Sequence, residues 1–265
     1  MTIEYRWLGD RLNPQAGIAA DFVRTNVDAI VAYGSPAVLS AKEATDRFPI
    51  IMIGPRDPVE QGIVASLARP GGNITGIAST AAAGPGMAAG RRLALIKEAL
   101  PRAARVGYLW SSNFPGAKPA MDDMLQSATK LKISVRAFDI AGPGALSNAF
   151  AAMKREAVDA VSVEAGLAAY RRRVVELAAS SRVPAFYGNS IFVDEGGLMS
   201  YSPDWVEIFW KAGRYVGRVL SGVKPGDLPV EQPTKFELAI NLKTANALGL
   251  TIQPSLLIGA DRIIE

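Results

Sequence analysis

Short continuous apolar runs alternate along this chain with longer stretches whose apolar residues recur at helical spacing. The stretch PQAGIAADFVRTN (14–26) places Ile18, Phe22 and Val23 on one side of a helix. DAIVAYG (28–34) is an apolar run and reads as a strand. Ser35-Pro36 then opens a helix to about Thr45, with proline in the first turn, where its missing N–H does no harm. PIIMIG (49–54) and NITGIAS (73–79) are two further strands, and IEYRW (3–7) is expected to be a strand as well. These Val/Ile runs are continuous rather than alternating, which is the pattern of strands buried on both faces, as in parallel sheets.

At TAAAGPGMAAG (80–90) the composition turns to small residues, and the rhythm restarts. A helix at 91–100 is followed by strands at 105–111, 134–140, 160–165 and 183–188, with helices expected at about 116–131, 145–155 and 167–182. GLMSYS (197–202) reads as a strand crossing back, with a helix at 204–221 and a last strand and helix in FELAINLKTANALGL (236–250). Two such series separated by crossovers predict an α/β protein of two doubly wound parallel-sheet lobes joined by hinge crossovers. Lobe 1 is expected to take residues 1–79 plus about 201–224, and lobe 2 residues 80–200 plus about 225–265.

In open parallel sheets, ligands sit beyond the C-terminal ends of the strands, so the residues there are the candidates. Gly34-Ser35-Pro36 puts a hydroxyl and open N–H groups at a helix start, which suits a carboxylate; Ser35 equally suits a helix cap. Asp57 follows a strand, and is either a ligand contact or the cap of an Asp-Pro turn. Trp110 is either an apolar wall or a core residue, and Ser112 and Asn113 behind it offer polar contacts. Glu164 ends another strand, as a ligand group or as half of a salt bridge. Tyr187 and Asn189 follow the next strand, and Tyr201 lies where the chain returns.

Composition removes much else. The chain has no Cys and no His, which excludes thiol nucleophiles, Cys/His metal centres and His-dependent triads. No phosphate-loop, dinucleotide or nucleophile-elbow motif occurs. Ser127 and Lys130 form an S-x-x-K without partner motifs, and Asp122-Asp123 read as solvated helix charges. A net charge of +4 is modest, and Arg171-Arg172-Arg173 lacks the interleaved aromatics of a nucleic-acid surface. No run is long and apolar enough for a membrane span. Catalysis, metal and cofactor are therefore not expected.

Three stretches carry a resemblance: DPVEQGIVASLARPGGNITGI (57–77), GGLMSYSPDW (196–205), and most specifically LPVEQPTKFELAINLKTANALGL within residues 227–265. They resemble the ABC-transporter substrate-binding protein family that includes tryptophan-binding proteins of the TrpX type. The resemblance implies a two-lobed type I periplasmic-binding fold, a periplasmic location, a small ligand such as an amino acid or an aromatic or branched acid, delivery to a membrane permease, and a monomer when complete. It places ligand contacts in the loops of Ser35 and Pro36, Asp57, Ser112 and Asn113, Glu164 and Asn189. Trp110–Phe114 and Glu164–Gly166 depart from the family's commoner Asn/Pro-rich and Asp-Pro versions, which leaves the ligand open. Family members also carry a signal peptide, a strand and a helix ahead of the segment matching IEYRW. The chain is therefore expected to be an N-terminal truncation whose lobe 1 exposes an apolar groove, or, if its start is genuine, a cytoplasmic ligand-sensing module of a regulator.

Overall fold

The computed structural model describes residues 2–6, 15–79, 87–114 and 117–265. Helix α1 (Gln15–Arg24), strand β1 (Ile30–Tyr33), α2 (Ser35–Ala44), β2 (Ile50–Ile53) and β3 (Ile74–Ile77) come first. Then follow α3 (Met87–Ala99), β4 (Arg105–Trp110), α4 (Ala117–Leu131), β5 (Ser134–Asp139), α5 (Pro143–Arg155), β6 (Ala160–Val163), α6 (Arg171–Ser181), β7 (Ala185–Tyr187), α7 (Ile191–Asp194) and β8 (Met199–Pro203). The last stretch holds α8 (Trp205–Leu220), β9 (Phe236–Asn241), α9 (Leu242–Leu248), α10 (Pro254–Ile258) and β10 (Arg262–Ile264).

The chain divides into two compact units, Met1–Ala82 with Asp204–Thr234, and Ala83–Pro203 with Lys235–Glu265. Residues 225–234, assigned from sequence to the second lobe, thus belong with the first. The reason is burial: Leu228 and Val230 pack into the apolar clusters around β1–β3. The expected crossover at 80–90 falls mostly on 80–86, outside the described residues.

The first unit is built on a parallel sheet of order β1-β2-β3, in which Ile30, Ile50 and Ile74 stand side by side. One face packs Ile30, Ile50 and Met52 against Val38 and Ala41 of α2. The other packs Ile51, Ile53 and Ile77 against Ile208, Ala212, Tyr215 and Val219 of α8. The β3 edge is covered by residues 228–231: the Thr75 hydroxyl donates to the Leu228 carbonyl at 2.6 Å, and Glu231 N–H donates to the Gly76 carbonyl at 3.0 Å. Strand β1 has β2 as its single ladder partner among the described residues. IEYRW is not the expected strand: residues 2–6 are exposed and carry no regular structure, and Trp7 lies outside the described residues. Its alternation of apolar residues supplies one side of a strand, but a strand also needs a neighbour for its N–H and C=O groups.

The second unit holds seven strands in the order β10-β9-β8-β7-β6-β4-β5. Helices α3 and α4 supply Leu93, Ile96, Met121 and Met124 to the cluster on one face. Helices α5 and α6 supply Phe150, Met153, Val174 and Ala178 to the other. This is the expected doubly wound pattern. All pairings are parallel except β8–β9, which is antiparallel and makes the sheet mixed. The expected helix at 167–182 is two pieces, a 3-10 turn at Ala165–Tyr170 and then α6.

Candidate functional site

Because the strands of each unit run the same way apart from β9 and β10, their C-terminal ends gather on one edge of each sheet, and most of the candidate residues are there. In the first unit Gly34 N–H donates to the Ile53 carbonyl, and Gly54 N–H to the Ile77 carbonyl, both at 2.8 Å. These bonds tie the ends of β1, β2 and β3 together and fix where α2 begins. Ser35 was weighed as the cap of α2, but Gly34 is the capping residue, at φ +81°, and no side chain caps it. A glycine takes that backbone without strain. Ser35 therefore sits inside the first turn, buried, beside Pro36. The N–H groups of a helix's first turn have no partner within the helix, and together they form the positive end of its dipole.

Asp57 is exposed, and its carboxylate accepts from Glu60 N–H at 3.0 Å. It caps its turn. A groove of about 410 Å³ in this unit lies at the other end of the strands, beside Asn73 and Ile74, with Lys42 and Gly62–Ala65 in its wall. It is away from Ser35 and contains none of the candidates.

In the second unit three loops meet at the sheet edge. A Cβ added to Gly166 would come 3.0 Å from the Phe114 ring and 3.1 Å from Glu164 Oε2, and one added to Gly188 would come 3.0 Å from the Ala165 nitrogen. The loops after β4, β6 and β7 are thus in contact, and they bring Ser112, Asn113, Glu164 and Asn189 to one edge. Ser112 is anchored twice on Asp139 at the end of β5, through its N–H at 2.8 Å and its hydroxyl at 2.5 Å. Asn113 is exposed. Glu164 is buried and accepts from Gly166 N–H at 2.6 Å, capping the 3-10 turn. Asn189 is buried, and its side-chain oxygen accepts from Ile191 N–H at 3.1 Å, so it shapes the entry to α7.

The aromatic candidates divide differently. Trp110 packs against the cluster between the sheet and α3/α4. Tyr187 is 1% exposed and stacks on Phe192 with centroids 4.7 Å apart. Burial pushes its phenol well above the usual value. Tyr201 stacks on Phe236 at 5.4 Å and packs on the same cluster as Trp110.

No spacing in the sequence announces the aromatic group of the first unit. Tyr33, which precedes Gly34, meets Trp205 edge-on at 5.6 Å and stacks with Phe209 at 5.7 Å. A signal for the start of α8 was present in Asp204-Trp205-Val206-Glu207, an acid-x-x-Glu capping pattern. Asp204 does cap, accepting from Glu207 N–H at 3.1 Å. Among the described residues, no cluster of acidic side chains could hold a metal ion, and no helix is long and apolar enough to cross a membrane.

An open-ended αβ sheet with loops, not ionisable clusters, at its C-terminal edge is a binding architecture, and the relatives agree with it. The model of the family described as ABC transporter substrate binding protein matches residues 5–264, and the chain belongs to that family. A structure of an ABC domain in complex with L-Trp from Streptococcus pneumoniae superposes with a TM-score of 0.85 at 29% identity, covering 94% of this chain and 85% of that one. A conserved domain protein from Vibrio cholerae gives a TM-score of 0.84 at 27% identity, over 95% and 84% of the two chains. A protein called tyrosine-binding protein from Clostridioides difficile is 28% identical over 235 residues, which are 88% of this chain and 66% of the relative. The match thus spans just under two thirds of that relative's length. More distant solute-binding proteins share the fold alone, which is the type I periplasmic-binding fold.

Proposed function

We propose that the chain is the solute receptor of an ABC importer, without catalytic activity, and that its ligand is an α-amino acid with an aromatic side chain. The observation that carries the carboxylate half is the start of α2, where Gly34 takes the cap and leaves the first-turn N–H groups to an anion at the sheet edge. Two relatives, one solved in complex with L-Trp and one called tyrosine-binding protein, support the aromatic half.

In this reading Ser35 receives the carboxylate through its hydroxyl and N–H, and Pro36, which has no N–H to donate, walls the seat. Asp57, Trp110, Ser112, Asn113, Glu164, Tyr187, Asn189 and Tyr201 are the other candidates, with Glu164 and Asn189 the polar groups best placed for an ammonium. Tyr187 and Tyr201 act by shaping the loops, since both are packed among other rings. A ligand that touches loops of both units favours one arrangement of them over others. That arrangement is what the permease recognises, and the receptor works on the outer side of the membrane.

Titration calorimetry with L-tryptophan and L-tyrosine, against their carboxamides, tests this. The acids are expected to bind and the amides to bind far more weakly. Ser35→Ala should weaken binding by about 0.5–1.5 kcal/mol, or up to about 3 kcal/mol if its hydroxyl meets the charged carboxylate. Equal affinity for acid and amide refutes the carboxylate seat. Absence of binding to any amino acid refutes the ligand class.

A further inference from the structure

The basic run Arg171-Arg172-Arg173 opens α6, directly after the 3-10 turn that Glu164 caps. Two of its side chains meet one carboxylate in the second unit. Arg171 Nε lies 3.0 Å from Glu195 Oε1, and Arg172 Nε lies 3.3 Å from Glu195 Oε2. The Arg171 and Glu195 side chains are 33% and 26% exposed, whereas that of Arg172 is 77% exposed. The first pair is therefore the less screened of the two. The Arg171 guanidinium also donates to the Ala168 carbonyl, inside the turn that Glu164 caps, at 3.5 Å. Glu195 closes the C-terminal end of α7. The residue before it, Asp194, pairs with Arg262 of β10, and Arg262 Nε lies 2.9 Å from Glu237 Oε1 on β9. The end of α7 is thus tied to α6 by one acid and to the β9–β10 pair by the next.

Helix α7 is a single turn of four residues, too short to hold its shape by its own hydrogen bonds. Phe192 and Val193 anchor its buried side. At its start the Asn189 side-chain oxygen accepts from Ile191 N–H, so a shift of α7 carries the Asn189 side chain with it. A shift of the 3-10 turn carries Glu164 in the same way, because Glu164 accepts from Gly166 N–H within that turn. Arg171 touches both pieces, and Arg262 fixes α7 from its other acid. We propose that Arg171 and Arg262 are positioning residues: through Glu195 and Asp194 they set where α7 lies, and so the spacing between Glu164 and Asn189. This rests on the reading of Glu164 and Asn189 as the seat of an amino acid's ammonium. A polar seat works only when its groups are held in place by others behind them, and these two arginines supply that support.

Calorimetry on the 265-residue protein with L-tryptophan and L-tyrosine, each beside the analogue that lacks only the amino group, isolates this role. Those analogues are indole-3-propionate and 3-(4-hydroxyphenyl)propionate. Arg171→Met and Arg262→Met should weaken the amino acids roughly tenfold, the worth of one hydrogen bond to a charged group, while leaving the analogues within about twofold. Arg171→Lys and Arg262→Lys, which keep the charge, should recover most of the affinity. Arg136→Met removes the ion pair with Glu156 at 3.3 Å and should bind every ligand as the wild type does. If a methionine variant is too unstable to titrate, Glu195→Gln, which keeps the shape of the side chain and removes its charge, carries the same comparison. A wild type that binds amino acid and analogue alike, or binds neither, overturns the ammonium seat and this proposal together. A wild type that discriminates, beside variants that discriminate equally well or that lose both ligands in equal measure, overturns this proposal alone.

Discussion

Gly76→Ala is expected to cost about 4 kcal/mol or more, to lower the first unit's melting temperature by on the order of 15–30 °C, or to prevent it from folding. Gly76 lies in β3 opposite Met52 of β2, at φ +136°. A Cβ there would stand 2.1 Å from the Met52 carbonyl oxygen and 2.7 Å from its nitrogen. Neither atom can turn aside, because both belong to the central strand of the sheet. Relief requires β2 and β3 to part, and the cluster of Ile51, Ile53 and Ile77 against α8 would open with them. Gly62→Ala is the control. It also has a positive φ, +64°, but its Cβ would meet nothing within 4 Å, so it should cost only about 1 kcal/mol. Melts followed by circular dichroism decide the matter: if the two variants lose equal stability, the close approach of β2 and β3 is not what Gly76 serves.

Alkali is expected to destabilise both units. Burial raises the pKa of Tyr187. Burial also raises that of Tyr215, helped by the charge of Glu231 and the hydrogen bond to it. A phenol whose folded pKa lies above its unfolded value of about 10 contributes stability that is complete below about pH 10 and is lost as pH rises beyond it. For Tyr187, which is 1% exposed, the loss should approach about 1.4 kcal/mol per pH unit. Lys211 acts in the same direction: burial opposes its charge, but Glu207 and Glu231 outweigh burial and raise its pKa. Melting temperatures taken from about pH 8 to about pH 11.5 should fall steeply above about pH 10. Tyr187→Phe should flatten the fall for the second unit. An unchanged slope in that variant would show that its phenol is not the group that titrates.

How far the sequence foretold this molecule depended on whether a feature was local. The strands β1, β2, β3, β4 and β6 were legible because continuous runs such as IIMI and AVSV have no polar side to turn outward. Pairing direction was not: FELAIN reads the same whether it runs with β8 or against it, and its antiparallel register, Met199 with Ile240 through Pro203 with Phe236, is set by a connection through α8. Strand β10 and helix α10 are too short for periodicity to show. In the site, the loop positions were legible and the roles less so. Asp57, Glu164 and Asn189 do stand after strands, but in each of them one side-chain oxygen already serves a nearby N–H group. Ser35 lost its cap role to Gly34, whose backbone conformation no spacing rule announces. Trp205 and Phe209 lie one turn apart on α8, but the Tyr33 ring joins them from a segment so distant that nothing local announces it.

The closure of the β3 edge has a consequence for synthesis. Thr75 and its partner Leu228 are 153 residues apart. At the usual pace of about 5–20 residues per second, a ribosome needs roughly 8–30 s to add that stretch. For all of that time β3 leaves the ribosome with its outer N–H and C=O groups unpaired, and the Ile51–Ile53–Ile77 face has no α8 to lie against. The second unit owes nothing to the residues that are late for the first, yet it also waits, for β9 and β10. Neither unit can finish before residues 228–264 have been made, so a nascent chain of this protein is a natural client for a chaperone that shields open strand edges.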